Sequence, residues 1–174
     1  MDDLQANIFS KIGLTFIDYP DPSLPAVIVY FLGCDHNCFS CHNPDFQNIN
    51  YRNKKLLSIN DLYLEIIKLC NISKTNLVVF SGGDPLNPFN RDFVRLFINK
   101  YKYNFRFCIY TGYDIDYVKK YDIKGFTFLK CGKYDSSLHQ VAQKTNDFIQ
   151  LASKNQILYD KDFNVVSKDG RYYF

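Results

Sequence analysis

The 174-residue chain has no tryptophan, one methionine and no apolar run near the length that crosses a bilayer, about 20 residues. A membrane-spanning role is therefore not expected. Its first residues, Met1-Asp2-Asp3-Leu4-Gln5, lack the basic region and long apolar core of a secretory signal, so a cytoplasmic location is expected. In that compartment clustered cysteines bind metal or do redox work more often than they form disulfides. Concentrated positive charge is missing too. With 21 Lys and Arg against 18 Asp and Glu, the net charge of +3 is too mild to argue for nucleic acid. The only tight basic group, Arg52, Lys54 and Lys55, reads as a solvated turn or as a contact for an acidic electron donor or partner. There is no repeat and no low-complexity linker. The length suits one domain but falls short of a closed eight-fold barrel, which takes about 250 residues. A hydrophobic fraction of 47% suffices for a core, and the 17% aromatic fraction, all Phe and Tyr, reads as core packing plus a tyrosine-rich surface.

Cysteine is what the chain concentrates. Three of its six cysteines, Cys34, Cys38 and Cys41, follow an apolar run with the spacing C-x3-C-x2-C. Three thiolates this close on a short loop can each take one iron of a 4Fe-4S cube, leaving the fourth iron without a protein ligand. Other chemistries fit the same residues. Cys38-Phe39-Ser40-Cys41-His42 is also the c-type haem attachment pattern and contains a redox dithiol spacing. A structural zinc site can be built from the three cysteines with His36 or His42, although small zinc folds usually draw on two separated clusters and no second one appears. Cys70 on an expected helix, Cys108 in an expected strand and Cys131 at a strand end read as small buried hydrophobes.

Along the chain, strands and helices alternate. Residues 7–20 read as an extended segment broken by the proline-rich stretch from Tyr19 to Pro25. Ala26 to Leu32 is a β-branched and aromatic run, expected as a strand buried on both faces, and Gly33 ends it. Ser58 with Asp61 opens a helix whose apolar face carries Leu62, Ile66, Leu69 and Cys70. Leu77 to Phe80 is a second strand running into Ser81-Gly82-Gly83-Asp84-Pro85-Leu86. There adjacent glycines let the main chain approach a ligand closely, and the carboxylate can pair with an ammonium. A helix capped by Asn90 follows, then a strand over 104–110 leaving through Thr111-Gly112-Tyr113, a short helix over 114–121 and a strand over 125–131. Short strands are expected at 148–152, 156–159 and 163–166, with a terminal hairpin at Asp169-Gly170. Four such alternations imply right-handed crossovers. The expected fold is thus α/β, an open partial (βα) barrel with a mainly parallel sheet and its active edge at the carboxyl ends of the strands.

Together, the cysteine spacing, Gly82-Gly83-Asp84-Pro85 after the next strand, Tyr110-Thr111-Gly112-Tyr113 and Ser153-Lys154-Asn155-Gln156 resemble the activating proteins of anaerobic ribonucleoside-triphosphate reductase, in the radical S-adenosylmethionine superfamily. The resemblance extends from about Ala26 to Asp160. Cys41-His42-Asn43-Pro44-Asp45 is also similar to the pyruvate formate-lyase activating enzymes. It implies one radical S-adenosylmethionine domain over 1–174, with an N-terminal extension over 1–25, a core over 26–135 and C-terminal strands and tail over 136–174. It implies two cofactors, a 4Fe-4S cluster on Cys34, Cys38 and Cys41, and S-adenosylmethionine. Gly82, Gly83 and Asp84 are then the grip on the methionine ammonium, the backbone at Ser40 lies near adenine, and Thr111 lies near the ribose. Ser40 stands where much of the superfamily has an aromatic residue, and Cys131 where relatives tend to have Asp. The implied reaction is reductive cleavage to a 5′-deoxyadenosyl radical, which takes hydrogen from a glycine of the large reductase subunit. Flavodoxin or a similar one-electron donor supplies the electron. Two other functions stay open: another radical enzyme, either pyruvate formate-lyase activase-like or acting on a small molecule as in deazapurine synthesis, and a non-catalytic zinc-binding module.

Overall fold

The apolar runs of the sequence become the centre of one sheet, because each is covered on both faces. The computed structural model describes residues 4–22 and 25–174. Met1 to Asp3 of the acidic start, and Ser23 and Leu24 of the proline-rich break, lie outside the described residues. The strands are β1 (Gln5–Phe9), β2 (Gly13–Thr15), β3 (Ala26–Phe31), β4 (Lys54–Ser58), β5 (Leu77–Gly82), β6 (Arg106–Tyr110), β7 (Phe128–Cys131), β8 (Gln143–Lys144), β9 (Phe148–Gln150), β10 (Ile157–Asp160) and β11 (Arg171–Tyr173). The helices are α1 (Ile59–Ser73), α2 (Arg91–Tyr101) and α3 (Ile115–Lys120).

Strands β3, β5, β6 and β7 pair in parallel, as the strand-helix alternation implies. The sheet as a whole is mixed, which corrects the mainly parallel expectation. Its order is β10-β7-β6-β5-β3-β1-β4 with β2 also on β3, and every added pairing is antiparallel. Antiparallel neighbours need no crossover helix, so short segments at both ends of the chain can extend the sheet. Strand β4 was not legible as a strand. Lys54 and Lys55, expected in a turn, lie on it, and Lys55 pairs with Glu65. Opposite β4, Ala6 and Ile8 of β1 are fully buried.

Alternation along each central strand divides the core in two. Val27, Val29, Phe31, Val78, Phe80, Phe107, Ile109, Leu129 and Cys131 face α1 and α2, which contribute Leu62, Ile66, Cys70, Phe93, Val94, Phe97 and Ile98. Ala26, Ile28, Leu77, Val79, Cys108 and Phe128 face the other way, onto Tyr19, Leu151 and Leu158. Cys70, Cys108 and Cys131 are thus all core residues. The second face is closed by the C-terminal chain, which folds β8, β9 and β11 into a small antiparallel sheet. Residues 163–166 add only a bridge from Val165 to Tyr159 rather than a strand. Lys168 and Arg171 exchange both backbone hydrogen bonds around Asp169 and Gly170, whose φ values of 49° and 71° suit the tight hairpin turn expected there.

Helix starts follow the sequence in part. The Ser58 hydroxyl accepts from the Asp61 N–H at 3.2 Å and donates to its carboxylate at 2.6 Å. Asn90 precedes α2 but makes no side-chain cap. It instead donates to Leu32 O and accepts from Asn7 N–H, tying the helix start to β3 and β1. Among the described residues no helix is long and apolar enough to cross a membrane.

Candidate functional site

The cysteine loop leaves the end of β3 through Gly33, whose φ of +96° only glycine adopts without strain. A short 3-10 turn at Pro44–Gln47 brings the chain back. Gly33 N–H donates to Phe46 O at 2.8 Å and Cys34 N–H to Gln47 O at 3.1 Å, closing the loop on itself. Within it Asn37 and Ser40 take left-handed backbone (φ 49° and 55°), so the chain reverses direction between the cysteines. All three thiols are half-buried, while Phe39 and Ser40 face solvent.

The loop after β5 locks against this one. Gly83 N–H donates to Phe31 O and Asp84 N–H to Gly33 O. The Asn87 amide donates to the carbonyls of Leu32, Gly33 and Asp84. Sequence reasoning assigned the paired glycines to close approach by a ligand. The structure adds a reason within the protein: a Cβ on Gly82 would strike the Phe31 backbone, and one on Gly83 the carbonyls of Phe46 and Gly33.

Asp84 is the centre where three loops meet. It is fully buried, and its carboxylate accepts from Leu86 N–H at 2.8 Å, the Thr111 hydroxyl at 2.9 and 3.0 Å and Gly112 N–H at 2.8 Å. His36, midway between Cys34 and Cys38, adds a bond from Nε2 at 2.8 Å. The His36 ring occupies the space that a Gly112 side chain would need. Tyr113 packs edge-on against that ring at 4.4 Å, and its hydroxyl donates to Asp35. Sequence reasoning treated His36 only as a candidate zinc ligand. Nothing in the spacing signals its bond to a carboxylate beyond the next strand.

A cavity of about 210 Å³ opens at this edge, between the strand ends and the C-terminal chain. Cys34, Cys38, Cys41, Gly82, Gly83 and Thr111 all line it, which brings together most of the residues singled out from sequence. Ser40 and Asp84 do not line it: Ser40 points outward and Asp84 lies beneath the wall. His42 lines it, with its ring 4.9 Å from that of Tyr134. Among the described residues no three His, Cys, Asp or Glu side chains are gathered around a point where one ion would sit. The donor set fits a 4Fe-4S cluster by its chemistry, since three soft thiols on a closed loop face one cavity. Burial pushes the Cys34 thiol up to about 12, and metal binding would displace that proton.

The chain belongs to the 4Fe-4S single cluster domain family, whose profile matches residues 26–159. Within that class, it is 28% identical over 116 residues to the anaerobic ribonucleoside-triphosphate reductase-activating protein of Enterobacteria phage T4, a match covering 64% of this chain and 72% of that protein. Among solved structures, QueE from Escherichia coli aligns with a TM-score of 0.44 at 18% identity, over 62% of this chain and 53% of that one.

Proposed function

We propose that this chain activates an anaerobic ribonucleotide reductase in the cytoplasm, using S-adenosylmethionine at a 4Fe-4S cluster to leave a glycyl radical on the large reductase subunit. The observation that carries this reading is the convergence of Cys34, Cys38, Cys41, Gly82, Gly83 and Thr111 on one cavity at the carboxyl ends of parallel strands. The name of the phage relative supports the choice of partner. When bound, the two cofactors supply reductive C–S cleavage and the removal of a hydrogen atom from a glycine, with the electron coming from flavodoxin or a similar carrier.

The chain itself binds and orients. Cys34, Cys38 and Cys41 hold the iron. The Gly82-Gly83 main chain would hold the methionine ammonium, Thr111 the ribose and the Ser40 backbone the adenine. Asp84, with its acceptors already taken, acts here by fixing Thr111 and Gly112 as a rigid floor. The parallel core is read as an open partial barrel of the radical S-adenosylmethionine type, within a single domain whose open side admits a partner's loop.

Anaerobic reconstitution with iron and sulfide tests the first half of this reading. Visible iron-sulfur absorption and about four irons per chain are expected, whereas stoichiometric zinc with no such absorption would sink it. Mixing the reduced protein with S-adenosylmethionine and an anaerobic reductase subunit tests the second half. A glycyl radical doublet in electron paramagnetic resonance is expected. Formation of 5′-deoxyadenosine without the doublet would remove the activase assignment and leave a radical enzyme with another substrate.

A further inference from the structure

A second concavity, of about 300 Å³, lies among the C-terminal strands and shares no lining residue with the cavity above. Gln140, Lys154, Lys168, Asp169, Arg171 and Tyr173 line it. Three cations thus meet one carboxylate. Among the described residues none of the three forms an ion pair, with Asp169 or with any other acid. Their main chain is fixed while their charges are free. Lys168 and Arg171 exchange backbone hydrogen bonds across the Asp169-Gly170 turn, and Lys154 N–H donates to Leu138 O at 3.0 Å. Arg171 Nε donates to Gln150 Oε1 at 2.8 Å, and the guanidinium lies 5.3 Å from the Phe148 ring centre. These contacts aim the guanidinium and leave the donors of its two terminal nitrogens unused.

A buried amide completes the pocket. Gln140 is only 9% exposed, yet its Nε2 reaches only Asp169 O, at 3.5 Å, the outer limit of a hydrogen bond. Its Oε1 accepts nothing among the described residues. Burying an amide so poorly partnered is costly, and a leucine or methionine would fill the same space at no such cost. Gly170 makes room for it, since a Cβ there would strike Gln140 Nε2.

We propose that this pocket binds a phosphate chain, of the kind carried by a nucleoside di- or triphosphate, with Lys154, Lys168 and Arg171 on its oxygens and the Gln140 amide donating from within. A single carboxylate would leave the site positively charged, whereas a di- or triphosphate brings enough negative charge for all three cations. A guanidinium fork beside ammonium groups is the donor set that phosphate oxygens take. The volume, at the lower end for ligand pockets, suits a compact anion rather than a protein surface. Tyr173, 59% exposed at the rim, offers a ring on which a base can stack. The site stands apart from the cofactors proposed above.

The test is titration calorimetry of the full chain at about 0.15 M salt with sodium tripolyphosphate, ATP and adenosine. Wild type is expected to bind both phosphate compounds and not adenosine. The double variant Lys154→Gln/Lys168→Gln, altered at two exposed positions, should bind them roughly tenfold more weakly or worse. Lys11→Gln/Lys68→Gln, which removes two exposed charges elsewhere, should bind as wild type does. Tighter binding of ATP than of tripolyphosphate supports a nucleotide as the source of the phosphates, and equal binding supports a free polyphosphate. Three results overturn the proposal. Failure of wild type to bind either phosphate compound leaves these charges to an acidic protein surface. Equal weakening in both double variants shows net charge alone, and unchanged binding by Lys154→Gln/Lys168→Gln puts the phosphates elsewhere on the molecule.

Discussion

His36 and Asp84, 48 residues apart in sequence, are joined by a 2.8 Å hydrogen bond that ties the cysteine loop to the floor of the cavity. Both are largely shielded from solvent, with side-chain exposures of 14% and 1%. Loss of the imidazole leaves a buried acceptor short of a donor, so His36→Leu is expected to destabilise the metal-free protein by about 1–3 kcal/mol. His36→Gln, whose amide nitrogen can reach a similar position, should restore much of that loss. Urea unfolding of the three proteins measures it; equal midpoints for Leu and wild type would show that the bond contributes nothing.

Asp84→Ala leaves four donors facing a void, two of them backbone N–H groups. The metal-free protein should lose about 3 kcal/mol or more. A carboxylate that served only a ligand's ammonium would leave stability without ligand unchanged, so the same unfolding measurement separates the two roles.

Three glycines give a graded series. A Cβ at Gly13 meets nothing within 4 Å, and Gly13→Ala should change stability by less than about 0.5 kcal/mol. At Gly112 the obstacle is the His36 ring, a side chain able to turn aside at the cost of its bond to Asp84. At Gly83 it is the backbone of Gly33 and Phe46, which cannot, and Gly83→Ala is expected to cost about 3 kcal/mol. Thermal melts should rank the three in that order, and a Gly112→Ala loss matching or exceeding that of Gly83→Ala would contradict the backbone argument.

The six cysteines should separate into two groups. Cys34→Ala, Cys38→Ala and Cys41→Ala are each expected to abolish iron retention after reconstitution, whereas Cys70→Ala, Cys108→Ala and Cys131→Ala retain it. The latter three lie in the hydrophobic core. Iron per chain is the readout, and a full cluster on any of the first three variants would exclude that residue as a ligand.

Asp18 provides a pH dependence. Burial is the main cause that raises its pKa above the ordinary 3.8, outweighing the Thr15 hydroxyl and the Lys144 charge. The native state therefore holds this proton more tightly than the unfolded chain. Its contribution to stability is greatest below pH 3.8 and declines as pH rises through the raised native value. Asp18→Asn removes that decline. The stability of the variant relative to wild type should rise over that window and then level off, as followed by denaturant unfolding from pH 3 to 7; a difference independent of pH would refute the assignment.

Local chemistry was enough for much of this protein. The buried runs at Ala26–Phe31 and Leu77–Phe80 announced central strands because a run without alternation needs cover on both sides. C-x3-C-x2-C announced soft-metal chemistry because thiol spacing within one loop is a local property. The Asp169-Gly170 turn was likewise legible from two residues. Strand β4 was hidden because Lys54-Lys55-Leu56-Leu57-Ser58 pairs through its backbone with β1, nearly fifty residues earlier, and its side chains carry little strand signal.

What only the tertiary structure decided is how the loops face one another. The sequence by itself determined that a cysteine loop, a Gly-Gly-Asp-Pro loop and a Thr-Gly exit follow successive strands. Parallel pairing in register then placed those exits at one edge, where the carboxylate of Asp84 also accepts from donors on all three loops. The same geometry turned Lys130, in the apolar run of β7, toward the cavity. Both outcomes depend on which face a strand presents and on which buried charges find partners, and those are set by neighbours distant in the chain.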